Sequence, residues 1–177
     1  MKFISFNHDN SEKFGIIENN LITDLTGKID GASSLKELIK IKKIKEAKEY
    51  ANSNPGSIKP DEIKYSPLIP NPGKIICVGL NYSEHVKETN RTVEENPVIF
   101  HRFPESQTAH MQAIQRPTVS ESLDFEGEMA VIMGEGGKHI KPEDALKHIV
   151  GFSCYNESTI REWQRHTRQF GMGKNFE

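Results

Sequence analysis

Glu126 and Glu128 stand two residues apart in Leu123-Asp124-Phe125-Glu126-Gly127-Glu128-Met129-Ala130-Val131-Ile132-Met133, a stretch that otherwise reads as one buried strand. Side chains alternate faces along a strand, so these two carboxylates share a face with Cα atoms roughly 6.5 to 7 Å apart. That spacing lets both converge on one cation, and a hard divalent ion such as Mg²⁺ or Ca²⁺ takes oxygen ligands at about 2.0 to 2.6 Å. Carboxylates are seldom fully buried without a partner. The competing reading is an edge strand whose acidic face meets water, because polar and apolar residues also alternate in half-exposed sheets. The strand alone leaves both open.

A second pair, His85 and Glu88, lies three residues apart in a polar insert that reads as a loop entering a short helix, which puts both on one helical face. A histidine with a carboxylate partner is suited to general-base chemistry. The same spacing is also that of a surface ion pair. His8, His101, His110, His139, His148 and His166 show no ligand spacing and read as surface or structural residues. Cys77 and Cys154 each fall within a strand-like run without zinc-type spacing, and both are expected to be reduced core thiols.

The elements that must position these groups begin with three strand-like runs, Lys2 to Phe6, Phe14 to Glu18 and Leu21 to Asp24, separated by Asn/Asp/Gly turns. Ser34 to Asn52 carries apolar residues at helical spacing with lysines interspersed, and reads as one or two surface helices. Three prolines in Pro67-Leu68-Ile69-Pro70-Asn71-Pro72 interrupt regular structure and mark a boundary. Domains are therefore expected at 1–68, a small N-terminal α/β domain, and 69–177. In the second, Lys74 to Gly79 and Pro97 to Phe100 read as strands on either side of the polar insert. A helix is expected from Pro142, with acids in its first turn. Ile149 to Tyr155 reads as an interior strand that delivers Asn156 and Glu157 at its C-terminal end.

The chain has 177 residues, 35% hydrophobic and 27% charged, enough for one domain with a core plus a small appendage. A formal net charge of −2 gives no basic footprint, so nucleic acid is not an expected partner. The N-terminus lacks an apolar signal segment, and no apolar run is long enough to cross a bilayer. A cytoplasmic location and no membrane partner are the expectations.

Four separated motifs occur in one order: Gly79-Leu80-Asn81-Tyr82-x-x-His85, Asp124-Phe125-Glu126-Gly127-Glu128-Met129-Ala130, Asn156-Glu157-x-Thr159-x-Arg161-Glu162-x-Gln164 and Gly173-Lys174-Asn175-Phe176. Over roughly residues 72 to 177 the chain resembles the fumarylacetoacetate hydrolase family, including its acylpyruvase and 2-hydroxyhepta-2,4-diene-1,7-dioate isomerase branches. The resemblance implies a β-rich α+β fold, a mixed β-roll preceded by the small N-terminal domain. It implies that Glu126, Glu128 and Glu157 bind a divalent metal, Mg²⁺ foremost, with Mn²⁺ or Ca²⁺ as alternatives. Most members have Asp where Glu157 stands. It further implies that His85 and Glu88 form the pair that activates water, that Lys174 stabilises developing negative charge, and that Tyr82, Arg161 and Gln164 orient the substrate or metal-bound water. Met111 stands where relatives tend to have Gly, so the loop at 104–115 is expected to be shaped differently.

The implied activity is metal-dependent hydrolysis, decarboxylation or isomerisation of a small 2-oxo (acylpyruvate-like) or 2-hydroxydienoate acid through a metal-bound enolate. A 2-oxo acid presents adjacent carboxylate and keto oxygens, a ready chelate for a cation with open positions. The expected partners are that small acid and a second copy of the chain in a homodimer. Members normally continue well past Gly-Lys-Asn-Phe. The alternative expectation is therefore a truncated, catalytically inactive member that keeps metal binding or subunit association.

Overall fold

The computed structural model describes residues 1–88 and 95–176, the side chains of His85 and Glu88 excepted. Its contacts divide into two compact units. One comprises Met1–Pro70, Thr108–Ala113 and Gly127–Tyr155, the other Asn71–Gln107, Ile114–Glu126 and Asn156–Glu177.

The first unit is built on an antiparallel meander: β1 (Lys2–His8), β2 (Ser11–Glu18) and β3 (Leu21–Asp24), with β4 (Lys64–Tyr65) on the far edge of β1. Its turns are Asp9-Asn10 and Asn19-Asn20, all four residues at φ between 50° and 62°. Paired positive φ defines the hairpin turn whose twist matches the flanking strands, and Asn and Asp tolerate it best. Phe14 and Ile16 alternate inward from β2 and join Leu25, Leu35 and Leu38 in one cluster. Between them, Gly15 lies so close to β3 that an added Cβ would sit 2.3 Å from the Thr23 carbonyl oxygen. The helical stretch is two helices, α1 (Leu35–Lys40) and α2 (Ile44–Ser53), parted by Lys42 at φ 59°. Ser34 caps α1, its hydroxyl accepting from the Glu37 amide at 3.2 Å, an interaction worth about 1 kcal/mol.

The single strand expected over 123–133 is broken. Leu123–Asp124 forms β7, Phe125 and Glu126 belong to no strand, and Gly127–Met133 forms β8. β7 pairs with β10 (Thr159–Ile160), whereas β8 pairs with β9 (Ile149–Asn156). The chain changes partner at Glu126, whose backbone hydrogen bonds go to Asn156 and Glu157 instead of a continuing ladder. β9 is not wholly interior: Val150, Phe152 and Cys154 alternate onto an exposed face. Cys154 is thus an exposed thiol and not a core one, while Cys77 is half-buried. The helix expected from Pro142 is a 3₁₀ helix, Pro142–His148. Met111, 84% exposed, has φ 62°, a backbone conformation that glycine adopts without cost and other residues do not.

The second unit contains a two-stranded antiparallel ribbon, β5 (Ile75–Gly79) and β6 (Val98–Arg102), joined through a segment that includes α3 (Ser83–Glu88). Its register pairs Ile75 with Arg102 and Cys77 with Phe100, which places these four on one face. Ile76, Val78 and Ile99 occupy the other, exposed face. Helix α4 (Arg161–Gln164) follows β10 directly.

Candidate metal centre

The inward face of the β5/β6 ribbon, the end of β7 and the β10–α4 segment bring charged side chains of the second unit together. Glu157 is 5% exposed and Lys174 2%, both severe places for an ionisable group without partners. Lys174 Nζ donates to Glu126 Oε2 at 3.0 Å and Oε1 at 3.2 Å, and to the Thr159 hydroxyl at 2.8 Å. It lies 3.4 Å from Glu157 Oε2 and 5.0 Å from the centre of the Phe100 ring. Lys174 is carried by a 3₁₀ turn, Phe170–Gly173, seated tightly on α4: a Cβ on Gly173 would sit 2.4 Å from the Gln164 amide nitrogen.

A carboxylate oxygen of Glu126 and one of Glu157 lie within 4.8 Å of each other. Their electrostatics differ. Burial pushes Glu126 up, but the charge and hydrogen bonds of Lys174, with Thr159 and Arg161, outweigh it and hold the carboxyl below its ordinary value. Burial pushes Glu157 up and wins, with the Glu126 charge adding to it. Arg102, 6% exposed, stands behind Glu157 at 3.7 Å and donates to the Ser158 carbonyl at 3.1 Å. Cys77 on the same ribbon face has its thiol pushed up to about 12, by burial first and then by the charge of Glu157.

Arg161 bridges two acids, donating to Asp124 Oδ2 at 2.8 Å and to Glu126 Oε1 at 2.5 Å, and it also reaches the side-chain oxygen of Gln164 at 3.2 Å. Asp124 is lowered chiefly by the hydrogen bond from Arg161. Of the residues singled out in the sequence, Glu126, Glu157, Lys174, Arg161 and Gln164 are therefore joined in one network. Glu128 follows Glu126 by two residues as the second residue of β8, half-buried. Tyr82 is exposed, just before α3. The side chains of His85 and Glu88 lie outside the described residues. Asp124 and Thr159 stand within the motifs but carry no expected role, and Arg102 lies outside them. Arg102 was detectable in principle as a charged residue at an inward position of a strand, two beyond Phe100.

The donor set fits a hard divalent cation. The carboxylates supply oxygen only, and Glu157 Oε1 is buried with no hydrogen-bond partner among the described residues, an atom that a cation would satisfy.

Residues 74–177 match the family model for the fumarylacetoacetate (FAA) hydrolase C-terminal domain. Oxaloacetate tautomerase fahd2, mitochondrial, of Xenopus laevis is 37% identical over 133 residues, covering 74% of this chain and 42% of that protein. The human protein named oxaloacetate tautomerase FAHD2A, mitochondrial, is 37% identical over 118 residues, 66% of this chain and 38% of its own. The chain spans about two fifths of the length of these relatives. Among solved structures, fumarylacetoacetate hydrolase from Exiguobacterium antarcticum superposes with a TM-score of 0.83 at 30% identity, over 100% of this chain and 62% of that one. Maleylpyruvate hydrolase from Sphingobium, solved with manganese(II) and pyruvate, has the same fold at 19% identity, with a TM-score of 0.75 over 98% of this chain and 63% of that one. The chain belongs to the fumarylacetoacetate hydrolase family.

Proposed function

We propose that this chain carries the carboxylate site of a divalent-metal-dependent enzyme acting on a small 2-oxo or enol acid. The observation that supports it most is Glu157, whose buried Oε1 accepts no hydrogen bond among the described residues and faces Arg102 at 3.7 Å, beside Glu126 and within ion-pair distance of Lys174. Glu126 and Glu157 would hold the cation, with Glu128 as the ligand the family resemblance adds. Mg²⁺ is the first choice, and the manganese in the maleylpyruvate hydrolase structure favours a divalent ion of this kind. When bound, such an ion supplies Lewis acidity toward a keto oxygen.

The chain's own residues do the rest. Lys174, held in place by Glu126 and Thr159, would offer a pre-oriented donor to a developing enolate. His85 takes a proton from the carbon next to the keto group and returns it to the enol oxygen, or to carbon in the reverse sense. By the family resemblance, Glu88 is the carboxylate that would hold its tautomer. Such a base contributes typically 10²- to 10⁴-fold. Arg161, Gln164 and Tyr82 orient the acid's carboxylate.

Among hydrolysis, decarboxylation and isomerisation, keto–enol interconversion of oxaloacetate is the first to test, because relatives 36 to 39% identical carry the name oxaloacetate tautomerase. The protein, incubated with Mg²⁺, should speed the decay of enol-oxaloacetate absorbance. A rate equal to the buffer rate, for oxaloacetate and for acylpyruvates, is the result that counts against an enzyme. The second reading, an inactive member that keeps metal binding or subunit association, then stands.

A further inference from the structure

We propose that Thr159 is a positioning residue that fixes Lys174 and Glu126 relative to each other and so sets the geometry of the cation site. The part concerning the cation rests on the carboxylate reading above.

Thr159 is 0% exposed. A hydroxyl carries one proton and two lone pairs, and three polar groups surround this one. Lys174 Nζ donates to it at 2.8 Å, while Glu126 Oε1 and the Glu157 carbonyl oxygen each lie 3.0 Å away as acceptors. The single proton can serve only one acceptor fully. The ionised carboxylate is the stronger, because hydrogen bonds to charged acceptors are shorter and roughly twice as strong as neutral ones. Thr159 therefore closes a ring, Lys174 to Thr159 to Glu126 and back to Lys174. It orients one oxygen of Glu126 and uses one of the three ammonium protons of Lys174. Without it Lys174 would rotate toward its two acids alone, and Glu126 Oε1 would keep Arg161 and Lys174 as donors but lose the one that ties it to β10. The backbone supports the ring: Thr159 pairs with Asp124 across β10 and β7, so the residue that orients Glu126 is held against the strand that leads into it.

Valine copies the shape of threonine without the hydroxyl, and serine keeps the hydroxyl without the methyl. The test compares wild type with Thr159→Val and Thr159→Ser, and adds Thr159→Ala should the valine variant not fold. Two quantities are read: Mn²⁺ affinity by calorimetry, and the ¹⁵N-edited resonance of the Lys174 ammonium, visible only while its protons are sheltered. The valine variant should lose the ammonium resonance and bind Mn²⁺ at least tenfold more weakly, whereas the serine variant keeps the resonance and stays within threefold of wild type. A valine variant that retains the resonance, or whose Mn²⁺ affinity stays within threefold of wild type, overturns the inference. So does a serine variant as impaired as the valine one. If wild type itself takes up no Mn²⁺, the cation reading fails, while the ammonium resonance still decides the role of Thr159.

Discussion

Lys174 Nζ sits 3.0 Å from Glu126 Oε2 and 3.4 Å from Glu157 Oε2, so one cation serves two carboxylates unequally. The nearer acid also receives hydrogen bonds from Lys174, Thr159 and Arg161, and it is held below its ordinary value. The farther one, more deeply buried, is raised. Two neighbouring carboxylates pushed apart in this way form a site that keeps one charge firmly and holds the second at a cost, which a divalent cation would offset.

Glu126→Gln should lower stability by about 2 kcal/mol at neutral pH, in the range for losing hydrogen bonds to a charged group. Because the folded value lies below the unfolded one, the stability contributed by Glu126 is fully present above the unfolded pKa and is lost as pH falls through the folded value. The gap between wild type and variant should be constant above the ordinary carboxylate range and narrow only as acidification passes below it. Urea unfolding in the presence of a chelator measures it. A gap that widens on acidification would show that the sign is wrong.

Arg102→Met should cost about 3 kcal/mol, the lower end for breaking a buried ion pair. It removes the charge behind Glu157 and the donor to the Ser158 carbonyl. Arg102→Lys should recover part of this, since it keeps the charge but loses the guanidinium fork. Equal losses in both variants, by thermal or urea unfolding, would mean that charge plays no part.

Gly173→Ala should destabilise the second unit by about 3 kcal/mol, the upper end for an overpacked position. The methyl group would meet the Ile160 carbonyl oxygen at 2.5 Å and the Gln164 amide nitrogen at 2.4 Å, all backbone that cannot yield cheaply. The turn carrying Lys174 should shift with it. Unchanged unfolding and an unchanged Lys174 environment would contradict the close packing of that turn.

Cys154 and Cys77 should differ sharply toward iodoacetamide. The thiolate is the reactive form. Cys154 is exposed, and the Cys77 thiol is pushed up to about 12. Mass spectrometry of native protein at neutral pH should find one carbamidomethyl group, on Cys154, and two after denaturation. Rapid native labelling of Cys77 would refute the burial of its environment.

Much of this was legible from local pattern. The meander followed from strand-length runs divided by Asp-Asn and Asn-Asn turns, and the helical stretch from its periodicity, because both signals act over a few residues. What the pattern concealed depends on partners distant in sequence. Leu123 to Met133 alternates as one strand, but the ladder changes partner at Glu126, where Asn156 and Glu157 supply the backbone hydrogen bonds. Cys154 looked interior because its neighbours are apolar, yet in β9 those neighbours alternate onto an exposed face. Arg102 became interpretable only once the register of β5 and β6 placed it beside Cys77 and Phe100, facing Glu157.

The central claim is that these carboxylates bind a divalent cation. Titration of chelator-treated protein with Mg²⁺ and Mn²⁺ by calorimetry, for wild type and Glu126→Gln, tests it most directly. Saturable binding near one ion per chain, weakened at least a hundredfold in the variant, is the predicted result. No saturable binding to wild type, or equal affinity in the two proteins, would contradict it.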